Sequence, residues 1–535
     1  MPEPPPPAVQ PAPTTTPISA PPVTAPSTTA PTSAPPTSTP STTAPPAGPQ
    51  PTTTLPSSPT TTAPPGGAGA SPRFQVTTAA LGELWVDPVG GSDGAAGTNR
   101  GTALRTLAEA WRRVPASQSL TTGVRIQITT GDLSESAIPN YLEHRWGTAS
   151  APIVFNSADG PGRARLLGDL NVFDTRHLYL TGITIDSPGD SFHCERCDHL
   201  LLRRVTMDSN GGWETVKVNQ SSNVFIEDSV LTGAGDNVVD FVAVHTGHIV
   251  GSDISDAGDW CAYAKGGSSR IVVDSNVFHD CGNGGFTAGQ GTGFEFMTAP
   301  WLRHEAYDVV VTNNVVHHTQ GAALGVNGAA GVLIAHNTAW TVGSRSHAIE
   351  VYLGGRSCDG DVAGCTANRT LGGWGAAGLD GQWIPNDTVS ILNNLVVNPV
   401  GASSPWGQVA VQGVADAPSA SGVPTGRRAD DGLRIAGNAF ANGSNSMSII
   451  DGPGCDRPSC NAALLASTNL FIDPTGLLTA PATGDWRPSR TVGGTVPVVA
   501  TWTEREAGTG VWSPPSTWSR TRTGTLRSGG QPGAD

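Results

Sequence analysis

A short motif returns along the middle of this 535-residue chain at nearly constant spacing. Each copy is a run of apolar, mostly β-branched residues, then a polar pair, then another apolar residue. The copies read HLYLTGITI, HLLLRRVTM, NVFIEDSVL, HIVGSDISD, RIVVDSNVF, DVVVTNNVV, GVLIAHNTA and TVSILNNLV. The apolar positions after the polar pair are Ile183, Val205, Val230, Ile254, Val277, Val315, Thr338 and Leu395, giving intervals of 22, 25, 24, 23, 38, 23 and 57. A base period of 22–25 with two enlarged intervals is the pattern of a solenoid carrying loop insertions.

Helical repeats need apolar residues at a 3.6 period over ten or more positions, and none are present. Leucine-rich repeats share the period but would show regularly spaced Leu. Short β-branched runs punctuated by Gly, Asn and Asp read as strands. The expected fold is all-β: a parallel β-helix in which each coil adds one rung to each of three sheets. Asn313-Asn314 and Asn393-Asn394 are expected at a tight bend, where Asn tolerates left-handed backbone and can hydrogen-bond along the stack.

Composition separates the first part of the chain from this repeat. From Pro2 to Pro65 almost every residue is Pro, Thr, Ser or Ala, with Glu3 the one charge. That segment has nothing to bury, so residues 1–72 are expected to be a disordered stalk or linker. The solenoid is expected over 73–498, and 499–535 is left as an irregular tail. The net charge of −14 excludes a basic nucleic-acid footprint. No apolar run is long enough to span a membrane, and Met1-Pro2-Glu3 does not open a secretory leader.

The eight cysteines fall in local pairs, Cys194/Cys197, Cys261/Cys281, Cys358/Cys365 and Cys455/Cys460. Even count and local pairing point to disulfides, hence to an extracellular or cell-surface setting. The rival is zinc on Cys194 and Cys197, with His193 and His199 as the only evident further ligands.

The two enlarged coils are where chemistry is expected. The first insertion, about 283–307, carries Phe294, Glu295, Trp301, Arg303, His304, Glu305 and Tyr307. The second, about 343–387, carries Arg345, His347, Glu350, Arg356, Asp359, Trp374 and Trp383. Trp and Tyr stack on sugar rings, and Arg pairs with carboxylates. Lysine is scarce: Lys217 and Lys265 are the only two, beside 28 Arg. Both sit on rungs of the repeat, two coils apart by this register. A desolvated Lys can act as a base where Arg cannot.

Residues 85–114, WVDPVGGSDGAAGTNRGTALRTLAEAWRRV, resemble the entry segment of secreted right-handed β-helix proteins of the pectate-lyase-like superfamily. There a strand and a Gly/Asp loop lead to a short helix that caps the core, here with Thr106, Leu107, Ala110 and Trp111 on its face. The resemblance spans roughly 84–490. It implies a protein acting on a polysaccharide, foremost a lyase that cleaves a uronate glycan by β-elimination; as a capped solenoid the protein is expected to be a monomer. On that resemblance Lys217 or Lys265 is the base, and Arg303 or Arg345 neutralises the carboxylate. His304, His347 or Tyr263 is the acid, and Asp240, Asp256 and Asp259 hold Ca2+. Trp301, Tyr307, Glu295, Glu350 and Tyr263 would contact substrate. Two alternatives stay open: a glycoside hydrolase using carboxylates among Asp240, Glu295, Glu305 and Glu350, and a non-catalytic adhesin or glycan-binding protein.

Overall fold

In the computed structural model the described residues are 71–77, 80–374, 382–401, 406–414, 428–443, 448–498, 502–503, 511–527 and 531–535. The expected stalk therefore lies almost wholly outside them. The rest forms a right-handed parallel β-helix. One coil shows the plan: strands Arg176–Thr181, Thr184–Asp186 and Phe192–Glu195 enter three different sheets, and Asp198–Arg203 returns to the first. The first and second sheets hold 12 strands each and the third holds 11. All rung-to-rung pairings within these three sheets are parallel, so residues at one position of the repeat stack into columns along the axis.

The core is the inside of this stack. On the third sheet Val216 and Val218, then Val239 and Phe241, then Ala262 and Ala264 point inward and are essentially inaccessible. The helix Leu107–Arg112 covers one end: Leu107, Ala110 and Trp111 are buried, while Thr106 caps the helix by accepting from the Glu109 N–H. At the other end the helix Ala462–Thr468 packs against the last strands of the first two sheets.

The bend between the first and second sheets carries two columns. Asn313 and Asn393 take left-handed backbone (φ 56° and 58°), as do Arg204, Asp228, Ser275 and His336 at the same place. The next position is a ladder. Asn276, Asn314, Asn337, Asn394, Asn438 and Asn469 each have Oδ1 or backbone N–H bound to the neighbouring rung at 2.8–3.0 Å. Ser229 and Ser252 continue it toward the N-terminus. At the bend before the third sheet, Gly235, Gly258 and Gly282 stack so closely that a Cβ on Gly258 would stand 2.0 Å from the Gly235 carbonyl oxygen. Only glycine fits there.

Three sequence equivalences need correction by one residue. Val230 pairs with Thr206, not Val205, and with Asp253, not Ile254, and Val277 likewise pairs with Asp253, not Ile254. Val230 is accordingly 45 % exposed and Leu231 fills the core. A one-residue slip exchanges the two faces of a strand, and β-branched residues occur on both here.

All four local cysteine pairs are disulfides. With Cys194 and Cys197 joined, the zinc alternative built on them falls. The described part of the tail lies along the flank of the stack. Thr517 meets Thr312 at 2.6 Å, Arg527 donates to Asn313 at 2.7 Å, and the Ala534 N–H donates to Thr338 at 2.8 Å. Residues 71–77 lie on the first sheet, with Phe74 stacked on Phe225.

Candidate functional site

Both expected insertions start later than the sequence suggests, because their first residues are rungs. Gly284–Ala288 and Ile349–Tyr352 pair in register within the third sheet. Beyond those strands the two insertions join into one lobe. Gly291–Gly293 and Gly354–Ser357 run parallel, and Gln382–Ile384 pairs antiparallel to the latter. Helix Val362–Leu371 packs on Phe294–Phe296, around a small core of Phe294, Met297, Cys365, Trp374 and Ile384. Arg356 and Glu305, both fully buried, form an ion pair at the lobe's root. Glu305 also accepts from the Gly266 N–H at 2.9 Å and from Thr292 at 2.7 Å, tying the lobe to the solenoid.

Between this lobe and the third sheet lies an open pocket of about 210 Å3. The sheet supplies Glu214, Lys217, Asn219, Asp236, Asp240, Val242, Tyr263 and Lys265, and the lobe supplies Thr292, Gly293, Phe296 and Asp359. Register explains the sheet side. Lys217, Asp240 and Tyr263 are cross-strand partners on successive rungs, and Lys265 follows two positions after Tyr263. Side chains two apart on a strand share a face, so both lysines face the pocket, two rungs apart and in adjacent columns.

The Lys217 ammonium lies 2.7 Å from Glu214 and 3.7 Å from Asp240. Burial works against its charge, but Asp240 and Glu214 prevail and hold its pKa above the ordinary value. The two carboxylates thus favour its charged form. Burial pushes Glu214 up to about 7 against the pull of Lys217, with the Asp240 charge adding to the rise. The phenol of Tyr263 is 2 % exposed. Burial first, then Asp240 and Asp236, drive its pKa well above 10.0 and keep its proton on. Lys265 stands 4.3 Å over the Tyr263 ring and donates to Gln290 at 3.2 Å. No carboxylate lies within ion-pairing distance of it among the described residues. Asp236 and Asp259 are both raised, chiefly by burial.

Of the expected site residues, Lys217, Lys265, Tyr263 and Asp240 thus meet in one pocket, and the others do not join them. Trp301 packs against the lobe core. Arg303 sits 5.9 Å from the Trp374 ring. His304 and Tyr307 are buried against each other, Nδ1 to Oη 2.8 Å. Glu295 accepts from the Asp359 N–H at 2.7 Å. Arg345 is exposed in the turn before Ile349–Tyr352, and the buried His347 contacts Asp451 at 2.9 Å. Glu350 shares the Lys217 column three rungs beyond Tyr263. Burial raises it to about 7, and it accepts from Asn327 at 3.2 Å. The expected Ca2+ ligands do not converge. Asp256 is exposed at the end of a second-sheet strand and accepts from Thr232, Asp240 faces Lys217, and Asp259 accepts from Gln290. Of the expected loop residues, Trp301 and Glu295 make contacts that hold the lobe together.

Glu214, Asp236, Gln290, Thr292 and Phe296 are not singled out by the sequence, and Asp359 only as part of the second insertion. The spacing Glu214-x-x-Lys217 was a legible signal; the approach of the lobe was not. A larger cleft of about 780 Å3 lies beyond the lobe, with Trp383, Gln412 and Arg428 among its walls. Arg428 is already paired with Asp430 and Asp456.

Fold and groove define a class, the right-handed parallel β-helix proteins with a lateral pocket. Residues 190–367 match the family described as "Right handed beta helix region". Among solved structures the chain is similar to pectate lyase Pel9A (TM-score 0.38, 11% identity, covering 85% of this chain and 96% of that one). It is also similar to the mannuronan C-5 epimerase AlgE6 A-module of Azotobacter vinelandii (TM-score 0.35, 14% identity, 66% and 92%). A third is PfbA, a surface adhesin of Streptococcus pneumoniae (TM-score 0.36, 12% identity, 59% and 76%). No curated protein matches the sequence. Fold alone does not fix function, so activity has to be argued from the pocket.

Proposed function

We propose that the protein is a polysaccharide lyase that cleaves a uronate-containing glycan at the Glu214–Lys217–Asp240–Tyr263–Lys265 pocket. The observation that carries this reading is that one open pocket supplies each group β-elimination needs. Lys265, the pocket cation without a carboxylate partner, receives the uronate carboxylate. Glu214, raised to about 7, takes the proton from the carbon α to that carboxylate. The electron pair forms the new C=C bond, the β C–O bond breaks, and the Tyr263 phenol gives its proton to the leaving oxygen. Lys217 neutralises Asp240 and keeps the proton acceptor in place. No step runs through Ca2+. Disulfides suit the extracellular setting where such polymers occur.

A second reading rests on charge. Four carboxylates, Glu214, Asp236, Asp240 and Asp359, line the pocket beside two lysines. A neutral glycan would meet less repulsion, and a protonated Glu214 with an ionised Asp is the pairing a glycoside hydrolase uses. The deciding experiment incubates purified protein with uronate polysaccharides and with neutral glycans. Absorbance near 235 nm reports the unsaturated product, and a second assay counts reducing ends. A rise at 235 nm supports the lyase, reducing ends without it support the hydrolase, and neither signal on a broad panel overturns both.

A further inference from the structure

A second cluster of titratable groups lies on the first sheet, away from the pocket. His177 and His199 are one rung apart, each directly after residues paired in the ladder, Arg176 and Asp198. Both have left-handed backbone, φ 51° and 57°. Their rings stack with centroids 4.2 Å apart and planes 16° apart. His199 Nδ1 lies 2.9 Å from Asp198 Oδ2, yet it is buried and not aligned for a hydrogen bond. One ligand atom from each of His177, Asp198 and His199 falls within 4.8 Å of the other two.

We propose that His177, Asp198 and His199 form a binding site for a late first-row divalent metal ion, zinc foremost. Two imidazoles and a carboxylate are a ligand set for such ions, and a tetrahedral zinc with bonds of about 2.0–2.1 Å holds its ligands roughly 3.3 Å apart. The donor atoms lie within 4.8 Å of one another, and joint ligation requires one imidazole to turn out of the stack, because an ion lies in the plane of each ring that binds it. An outer layer is also present. Tyr179 Oη sits 2.9 Å from His177 Nδ1 and sets which ring nitrogen faces the ion. Ser222 and Asn223, on the next rung, donate to Asp198 Oδ1 at 2.9 and 2.8 Å. Such partners orient the ligands and raise their basicity. Phe74 packs on Tyr179 and beside His199, so the ion would brace the segment 71–77 against the solenoid. The parallel stack His279–His317 lacks this arrangement: His279 is held by Asp253 and Asp280, and His317 stacks on Trp486.

The test is titration of chelator-treated full-length protein with Co2+ and Zn2+, followed by visible absorption and calorimetry. One equivalent of Co2+ is expected to give a d–d spectrum of nitrogen and oxygen ligation, displaced by Zn2+. Affinity is expected to fall at least tenfold in His177→Gln and in His199→Gln, and to persist in His317→Gln. No binding of either ion to the wild-type protein at 1 mM (about −4 kcal/mol) overturns the proposal. Binding that is unchanged in the His177→Gln/His199→Gln double variant overturns it equally. The polysaccharide assays are independent of both outcomes.

Discussion

Two columns run along this solenoid, and they differ in kind. From Asn276 to Asn469 the bend repeats one residue type, buried, with each amide bonded to the rungs beside it. From Lys217 to Glu350 the third sheet presents Lys, Asp, Tyr, Thr, Gly and Glu in register. The first column satisfies itself at every step. The second is charged, mixed and only partly paired, and it faces a pocket. A uniform column stabilises the stack because each rung repeats the same hydrogen bonds. A mixed column gives up that regularity, and the groups left over are those able to act on something else.

The sharpest break of this comparison is chemical. Glu214→Gln and Tyr263→Phe are expected to lower turnover by about 10²–10⁴-fold, the range for a lost acid or base, with thermal midpoints close to wild type. Steady-state rates at 235 nm check it, and activity surviving in both variants would remove the functional half of the contrast. The ladder should respond the other way. Asn337→Ala strands a backbone N–H and two neighbouring amides, so urea unfolding should report a loss of about 2–3 kcal/mol, with kcat unchanged.

A pH profile sharpens the pocket side. As a base, Glu214 works ionised, so kcat should rise through about 7 as pH increases. As the acid of a hydrolase it works protonated, and the rate should instead fall above about 7. Glu214→Gln should flatten that limb. The smallest effect is expected at Lys265. Lys265→Ala should raise KM for a uronate polymer about tenfold (~1.4 kcal/mol) and leave binding of a neutral glycan unaltered. Equal changes for both substrates would assign Lys265 to the structure of the pocket.

Much of the fold was legible because a parallel stack writes its period into the chain. The 22–25-residue interval, the Asn pairs at the bend and the cysteine pairs each follow from contacts between residues near in sequence or one coil apart. Faces were harder. Val230 and Val277 resembled core residues, yet Leu231 and Phe278 occupy the interior, since alternation carries little signal where both faces are apolar. In the pocket, Lys217 and Lys265 stood out by rarity and Tyr263 and Asp240 by register. Arg303, His304, Trp301 and Tyr307 stood out equally by chemical richness, yet none of them lines the pocket.

The sequence by itself determined the solenoid, its disulfide pairing and the rungs that bear the two lysines. These depend on periodicity and on local chain distance, which one dimension records. Tertiary structure alone decided that two insertions about 60 residues apart join into one lobe and close over Glu214 and Tyr263. It also decided that His177 and His199, 22 residues apart, meet face to face. Those meetings depend on burial and on which groups pair first, and a buried Arg356–Glu305 contact can use up charges that a list of residues would assign to a substrate.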